Sequence, residues 1–240
     1  MSRATNDPDL VRAEYADESR FATRAAAWQN VAGARPREDA FRAVAEIAPK
    51  DVLEVGCGRG ELAARIAREL GSRVVALDLS ERMVELTREA GVDARVGDVQ
   101  QLPFEDSSFD CAVAAWMLYH VPDVDRGLAE LARVLRPGGR LVAVTNGERN
   151  LPELWGRFGE RSRRIHAFSV ENAEGQLRRH FQRVERRDAN GVVTFADWEA
   201  ADRYVSASVT RRDLAGELPR FDGPLECSLL VSVFVAEKSP

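Results

Sequence analysis

Five short stretches of the 240-residue chain carry residue types that could do chemistry. The first is Val52-Leu53-Glu54-Val55-Gly56-Cys57-Gly58-Arg59-Gly60. An apolar run ending in alternating glycines, followed by a helix, lets backbone N–H groups approach a ligand at a helix N-terminus. The spacing is G-x-G-x-G. It lacks the extra residue of G-x-G-x-x-G and so tilts from a nicotinamide dinucleotide towards a nucleoside ligand without a pyrophosphate. A tight ligand-free turn is the plain alternative. The second stretch ends at Asp78, 18 residues after Gly60. A carboxylate there can accept hydrogen bonds from both hydroxyls of a ribose, or it can simply start the cap of the next helix. The third is Gly97-Asp98, where an acceptor-only side chain can read an amine donor or cap its own loop. The fourth is Trp116-Met117-Leu118-Tyr119-His120. Its imidazole is the best candidate for a general base, and a capping or packing role is the alternative. The fifth is Arg136-Pro137-Gly138-Gly139.

The elements that would position these stretches follow from patterning. From Asp51 to Thr145 short apolar runs alternate with amphipathic segments, which predicts an α/β fold with a doubly wound, Rossmann-like, mostly parallel sheet covered by helices on both faces. Strands are expected at Val52–Val55, Arg73–Leu79, Ala94–Val96, Asp110–Trp116 and Arg140–Thr145. Helices are expected over Glu61–Leu70, where Leu62, Ile66 and Leu70 recur every four residues before Gly71, from the Ser80 cap to about Ala90, and near Asp123–Leu135. Two helices fill about Asp9–Ala48, with Ala25–Trp28 in the first and Phe41, Val44 and Ile47 in the second. Beyond Asn146 the rhythm changes to a helix near Glu171–His180, a strand near Val184 and a final antiparallel strand, Ser228–Ala236. The expected organisation is one domain over 1–240, with a helical lid (1–48), a binding core (51–145) and acceptor-side insertions with closing strands (146–240).

With Glu54 to Gly60, Asp78-Leu79-Ser80-x-x-Met83, Gly97-Asp98-Val99-x-x-Leu102-Pro103-Phe104, Phe109-Asp110 and Arg133 to Leu141 in that order, the chain resembles the class I S-adenosylmethionine-dependent methyltransferases of the small-molecule and quinone-methylating type. The resemblance covers about Asp51–Thr145. It implies that Gly56, Cys57, Gly58 and Gly60 lie beside the methionine and ribose portions of S-adenosylmethionine, that Asp78 binds the ribose, and that Leu79 and Met83 flank the adenine. It further implies that Asp98 and the Val99 backbone read the adenine edge and that the backbone of Ala115 and Trp116 meets the methionine amino group. Tyr15 and Trp28 would belong to a lid, or else anchor its helices, and Tyr119 would stand on the substrate side. No metal is required for transfer from a sulfonium.

The acceptor is expected to be a small molecule methylated on O, N or C. An RNA or protein acceptor, or a non-catalytic S-adenosylmethionine binder, is the alternative, and a nicotinamide-dependent oxidoreductase is the rival that the third and fifth stretches do not fit. Trp155, Phe158 and Phe168 follow the fifth strand, where the family places acceptor-binding insertions. Ten arginines and five glutamates between Arg149 and Arg187, Arg163 and Arg164 among them, either select an anionic acceptor or form a solvated face. His166 and His180 are read as surface residues. The formal charge of −5 disfavours general nucleic-acid binding. Of 34 basic residues only Lys50 and Lys238 are lysine, so arginine abundance by itself says little. Three unpaired cysteines, no recognisable targeting segment and no long apolar run point to the cytoplasm and away from membranes. Oligomeric state is not legible.

Overall fold

The computed structural model describes residues 13–15, 18–27, 31–209 and 211–240. In chain order these form α1 (Glu18–Ala27), β1 (Val31–Ala32), α2 (Pro36–Ala45), β2 (Asp51–Val55), α3 (Glu61–Leu70), β3 (Arg73–Asp78), α4 (Glu81–Glu89), β4 (Asp93–Val96), β5 (Phe109–Ala115), α5 (Val124–Val134), β6 (Leu135–Asn146), α6 (Pro152–Trp155), α7 (Ala173–Leu177), β7 (Arg183–Asp188), β8 (Gly191–Phe195), α8 (Trp198–Ser206), β9 (Leu225–Leu229) and β10 (Val231–Glu237). Short 3-10 turns lie at Leu118–His120, Gly156–Ser162 and Arg212–Leu214.

The main sheet runs β4-β3-β2-β5-β6-β10-β7, and β10 is antiparallel to both of its neighbours. Both faces of this sheet are apolar, as a parallel sheet buried between helices requires. On β3, Val74 and Ala76 join the core formed with Ala40 and Val44 of α2, Ala63 and Ile66 of α3 and Val84 of α4, whereas Val75 and Leu77 join the opposite core with Leu128 and Leu131 of α5 and Leu177 of α7. The period-2 alternation of strand side chains thus splits one strand between two cores. The fold is therefore a doubly wound sheet with a last antiparallel strand, as the patterning predicts. Gly60 (φ +72°) and Gly71 (φ +69°) bound α3, and Gly71 N–H closes the helix on Ala67 C=O.

Four departures from the expected elements are seen. The apolar run Ser228–Ala236 is two strands rather than one: β9 pairs with β8 in a small antiparallel β1-β8-β9 sheet, and β10 completes the main sheet. Distant residues hold the break at Leu230. Its N–H donates to Asn150 Oδ1 (2.8 Å) and its C=O accepts from Gly147 N–H (2.8 Å). Next, the strand expected at Arg140–Thr145 extends back to Leu135, because Leu135 pairs with Phe109 and Arg140 with Cys111 while 136–139 loop out. Finally, the helix expected near Glu171–His180 is α-helical only over Ala173–Leu177, and Ile47 lies past the end of α2.

Candidate functional site

Four parallel strands, β2, β3, β5 and β6, end at one edge, and the segments leaving them carry the chemistry. After β2, Gly56 N–H and Cys57 N–H both donate to Leu77 C=O (2.7 and 3.1 Å), which ties the glycine turn to the end of β3. Gly56 (φ +66°) and Gly58 (φ +56°) occupy the left-handed region. A Cβ on Gly56 would also stand 2.5 Å from Met117 Cβ, so the position excludes every other residue twice over.

Asp78 closes this arrangement. Oδ2 accepts from Gly58 N–H (3.0 Å) and Oδ1 from Ser80 N–H (2.9 Å). Burial raises its carboxyl above the usual carboxylate range, and these backbone donors offset only part of that rise. Each oxygen keeps a second lone pair, so capacity for two hydroxyl donors remains. Ser80 caps α4 by accepting from Met83 N–H (3.3 Å) and donates to Tyr15 C=O (2.8 Å), which pins the N-terminal segment to the site. Met83 is fully buried, and Leu79 is half-buried. Glu54, one residue before Val55, is 3% exposed. Burial pushes its carboxyl up to about 8, and Oε2 has no partner among the described residues. Sequence reasoning gave Glu54 no role of its own.

Asp98 follows β4. Its carboxylate accepts from Gln100 N–H (2.9 Å) and from Gln100 Nε2 (3.1 and 3.0 Å), the loop-capping geometry that the sequence left open. Val99 buries its side chain, so only its backbone is available to a ligand. At the end of β5, Ala115 is half-buried, and the next residue, Trp116, takes φ +56°, with its N–H on Val144 C=O (2.9 Å) and its indole on Asn146 Oδ1 (3.2 Å). A non-glycine residue held there costs about 1–2 kcal/mol.

The turn Leu118–His120 then opens onto a cavity of about 110 Å³ that also receives Tyr15, Arg24, Asn146, Glu148, Trp155, His166, Tyr204 and Arg211. Tyr15 Oη lies 3.2 Å from His120 Nε2, and Tyr119 packs edge-on against His120 with ring centroids 4.5 Å apart. Burial raises the phenols of Tyr15 and Tyr119, and that of Tyr204 reaches about 12. Burial, reinforced by the Arg211 charge, lowers His166 to about 4.

The structure therefore brings Tyr15, Tyr119, His120 and Trp155 together. It places Phe158 against Trp155 (6.2 Å between centroids) and Phe168 in the core against Phe234. Trp28 lies outside the described residues. His180 is at the surface on Asp125 (2.9 Å). His166 departs from the sequence reading, because 163–167 is an irregular segment that turns it into the cavity rather than a helix surface. The arginines between Arg149 and Arg187 do not line the cavity. Arg163 is 77% exposed and Arg164 pairs with Asp213 (2.9 Å), while the cations lining the cavity are Arg24 and Arg211. Nothing local distinguishes those two from the other arginines. Among the described residues no group of three or more His, Cys, Asp or Glu is placed to hold a metal ion, and no helix is long and apolar enough to cross a membrane.

A family model described as a methyltransferase domain matches residues 53–143. Residues 53–143 are a methyltransferase domain. The matched segment of this methyltransferase domain runs from β2 to β6 and contains the glycine turn, Asp78, Asp98 and His120. The chain is 40% identical over 119 residues to methyltransferase GfsG of Streptomyces halstedii (46% of this chain, 43% of that protein). It is 33% identical over 111 residues to a demethylmenaquinone methyltransferase of Desulfitobacterium hafniense (42% of this chain, 44% of that protein). The chain thus spans less than half the length of these two curated relatives. The fold resembles that of the Burkholderia thailandensis 1,6-didemethyltoxoflavin-N1-methyltransferase (TM-score 0.61, 22% identity, 100% of this chain and 92% of that one).

Proposed function

We propose that the protein is an S-adenosylmethionine-dependent methyltransferase that moves a methyl group to an O, N or C atom of a small molecule held in the cavity at the carboxyl edge. One observation carries this reading. The chain leaving β5 packs Met117 onto Gly56 and, two and three residues later, lines the cavity with Tyr119 and His120. A ligand on the glycine turn and one in the cavity are then neighbours.

The residues fit the methyl donor. The turn Gly56-Cys57-Gly58 to Gly60 admits a ligand against bare backbone, Asp78 retains two acceptor sites for a ribose, and Gly97, where a Cβ would stand 2.1 Å from Leu77 Cδ2, keeps the chain close to β3 beside Asp98 and the Val99 backbone. Leu79, above the buried Met83, would border the adenine, and Ala115 and Trp116 the methionine portion. S-adenosylmethionine, when bound, supplies a methyl group on a cationic sulfur whose leaving group is neutral. The protein's own part is then to position the acceptor, exclude water and take up the proton that the acceptor releases. His120 and Tyr15 suit the proton uptake, because the phenol oxygen, held protonated by burial, can accept from Nε2–H and so fix the tautomer whose Nδ1 lone pair takes the proton. The three cysteines are free and buried, which supports a reducing, cytoplasmic setting.

Calorimetric titration with S-adenosylmethionine and with NADH tests the assignment. Binding of the first alone is expected, and binding of NADH instead would overturn it. In a turnover assay His120→Ala should lose about tenfold or more in rate with an altered pH profile. An unchanged rate and profile would remove His120 from the mechanism.

A further inference from the structure

Two guanidinium groups enter the cavity from elements far apart in the chain. Arg24 comes from α1 and Arg211 from the segment after α8, and both charges act on the Tyr204 phenol. Arg24 Nη1 donates to Glu14 Oε1 (2.6 Å) and to Ala207 C=O (2.6 Å), whereas Nη2 is buried without a partner among the described residues. Glu14 is also shared with Arg20 (3.5 Å), so one carboxylate serves two cations. Arg211, 8% exposed, donates from Nε to Ser162 C=O (2.7 Å) and stacks 4.5 Å above the Trp155 ring. Glu148 is the single carboxylate among the described lining residues. Buried donors on cations are costly unless something accepts from them. The remaining wall is flat and aromatic, with Trp155, Tyr119 and Tyr204, and His166 Nδ1 is a further buried polar atom without a partner among the described residues.

We propose that this cavity selects a single-ring acceptor bearing one anionic oxygen group, a carboxylate or phenolate, held by Arg211 and Arg24 Nη2 against the Trp155 and Tyr204 rings. The atom to be methylated then lies beside Tyr15 and His120. Size sets an upper bound of one ring: the cavity of about 110 Å³ is smaller than the ~150 Å³ void that takes up benzene, so it has no room for a fused or two-ring acceptor. Charge supports a monoanion, because among the described residues Arg20, Arg24 and Arg211 stand against the two carboxylates Glu14 and Glu148, an excess of one positive charge, and a dianion would lie against Glu148. Planar guanidinium groups also match a carboxylate in two-point fashion. Arg163 is exposed and takes no part, and Arg164 is held by Asp213.

The inference rests on the methyltransferase reading, and its test keeps the two apart. Matched acids and amides (benzoate and benzamide, 4-hydroxybenzoate and 4-hydroxybenzamide, nicotinate and nicotinamide) are titrated by calorimetry into the protein saturated with S-adenosylhomocysteine. At least one acid should bind about tenfold or more tightly than its amide, the factor that one charge-assisted hydrogen bond supplies. Arg211→Gln should bring the ratio close to one while the affinity for S-adenosylhomocysteine and the melting temperature stay near those of the parent protein. Parity of every acid with its amide in the parent protein overturns the inference, and so does a preference that survives in Arg211→Gln. Failure of the parent protein to bind S-adenosylhomocysteine at all overturns the methyltransferase reading, and this inference with it.

Discussion

On the proposed donor side of the carboxyl edge the chain offers mostly backbone, and on the proposed acceptor side it offers side chains. The glycine turn, Asp78 and Asp98 leave three consecutive parallel-strand units, and their hydrogen bonds run between neighbours: Gly56 to Leu77, Gly58 to Asp78, Gly97 to Asp78. The cavity instead draws Arg24, Tyr119, Asn146, Trp155, His166, Tyr204 and Arg211 from segments spread over most of the chain. A backbone cradle tolerates little, because each atom is fixed by the sheet. A side-chain wall can be rewritten one residue at a time without disturbing the sheet beneath it, which suits the half of a site that must choose an acceptor.

The largest effect is expected where the halves meet. Gly56→Ala adds a Cβ that collides with Met117 and forces a left-handed alanine. Strain and overpacking together amount to about 3 kcal/mol. Affinity for S-adenosylhomocysteine should fall about a hundredfold, with Tyr119 and His120 displaced as well. Parent-like affinity and melting temperature in this variant would show the halves to be independent.

A smaller effect belongs to the acceptor side alone. His166 is lowered to about 4, below its ordinary 6.5. As pH falls through 6.5 the unfolded chain takes up a proton that the folded chain refuses until about pH 4, so this contribution to stability is complete above 6.5 and is lost between 6.5 and 4. His166→Gln should flatten that acid limb by about 1–3 kcal/mol in urea midpoints measured against pH, while cofactor affinity at neutral pH is unchanged. An identical acid limb in the variant would mean that the imidazole is not buried as described.

The smallest effect is at Arg163. Its one ion pair among the described residues is a 3.7 Å contact with the exposed Glu160, so Arg163→Glu should change stability by less than about 0.5 kcal/mol and leave any preference for acids over amides intact. A lost preference would move anion selection out of the cavity and onto the surface.

The same division explains what is legible in the sequence. Gly60 and Gly71 bracket Leu62, Ile66 and Leu70, and α3 occupies that interval, because helix ends and apolar periodicity are written in adjacent residues. The strand ends that carry Gly56, Asp78 and Asp98 follow from the same local rules. The break at Leu230 cannot be read, since no turn residue marks it and its partners Asn150 and Gly147 are some eighty residues away. Nor can Arg24 and Arg211 be singled out among 32 arginines, or His166 be told from a surface histidine, because only tertiary packing turns them inward. Gln100 illustrates the middle case: it stands two residues from Asp98, yet its amide carries no signature of the carboxylate it meets.

A crystal structure with S-adenosylhomocysteine tests the account most directly. The product should lie along the edge with its ribose hydroxyls on Asp78 and its sulfur facing the cavity beside Tyr119 and His120. A product bound away from the glycine turn, or one whose sulfur faces open solvent with the Arg24 and Arg211 cavity closed behind it, would contradict the account.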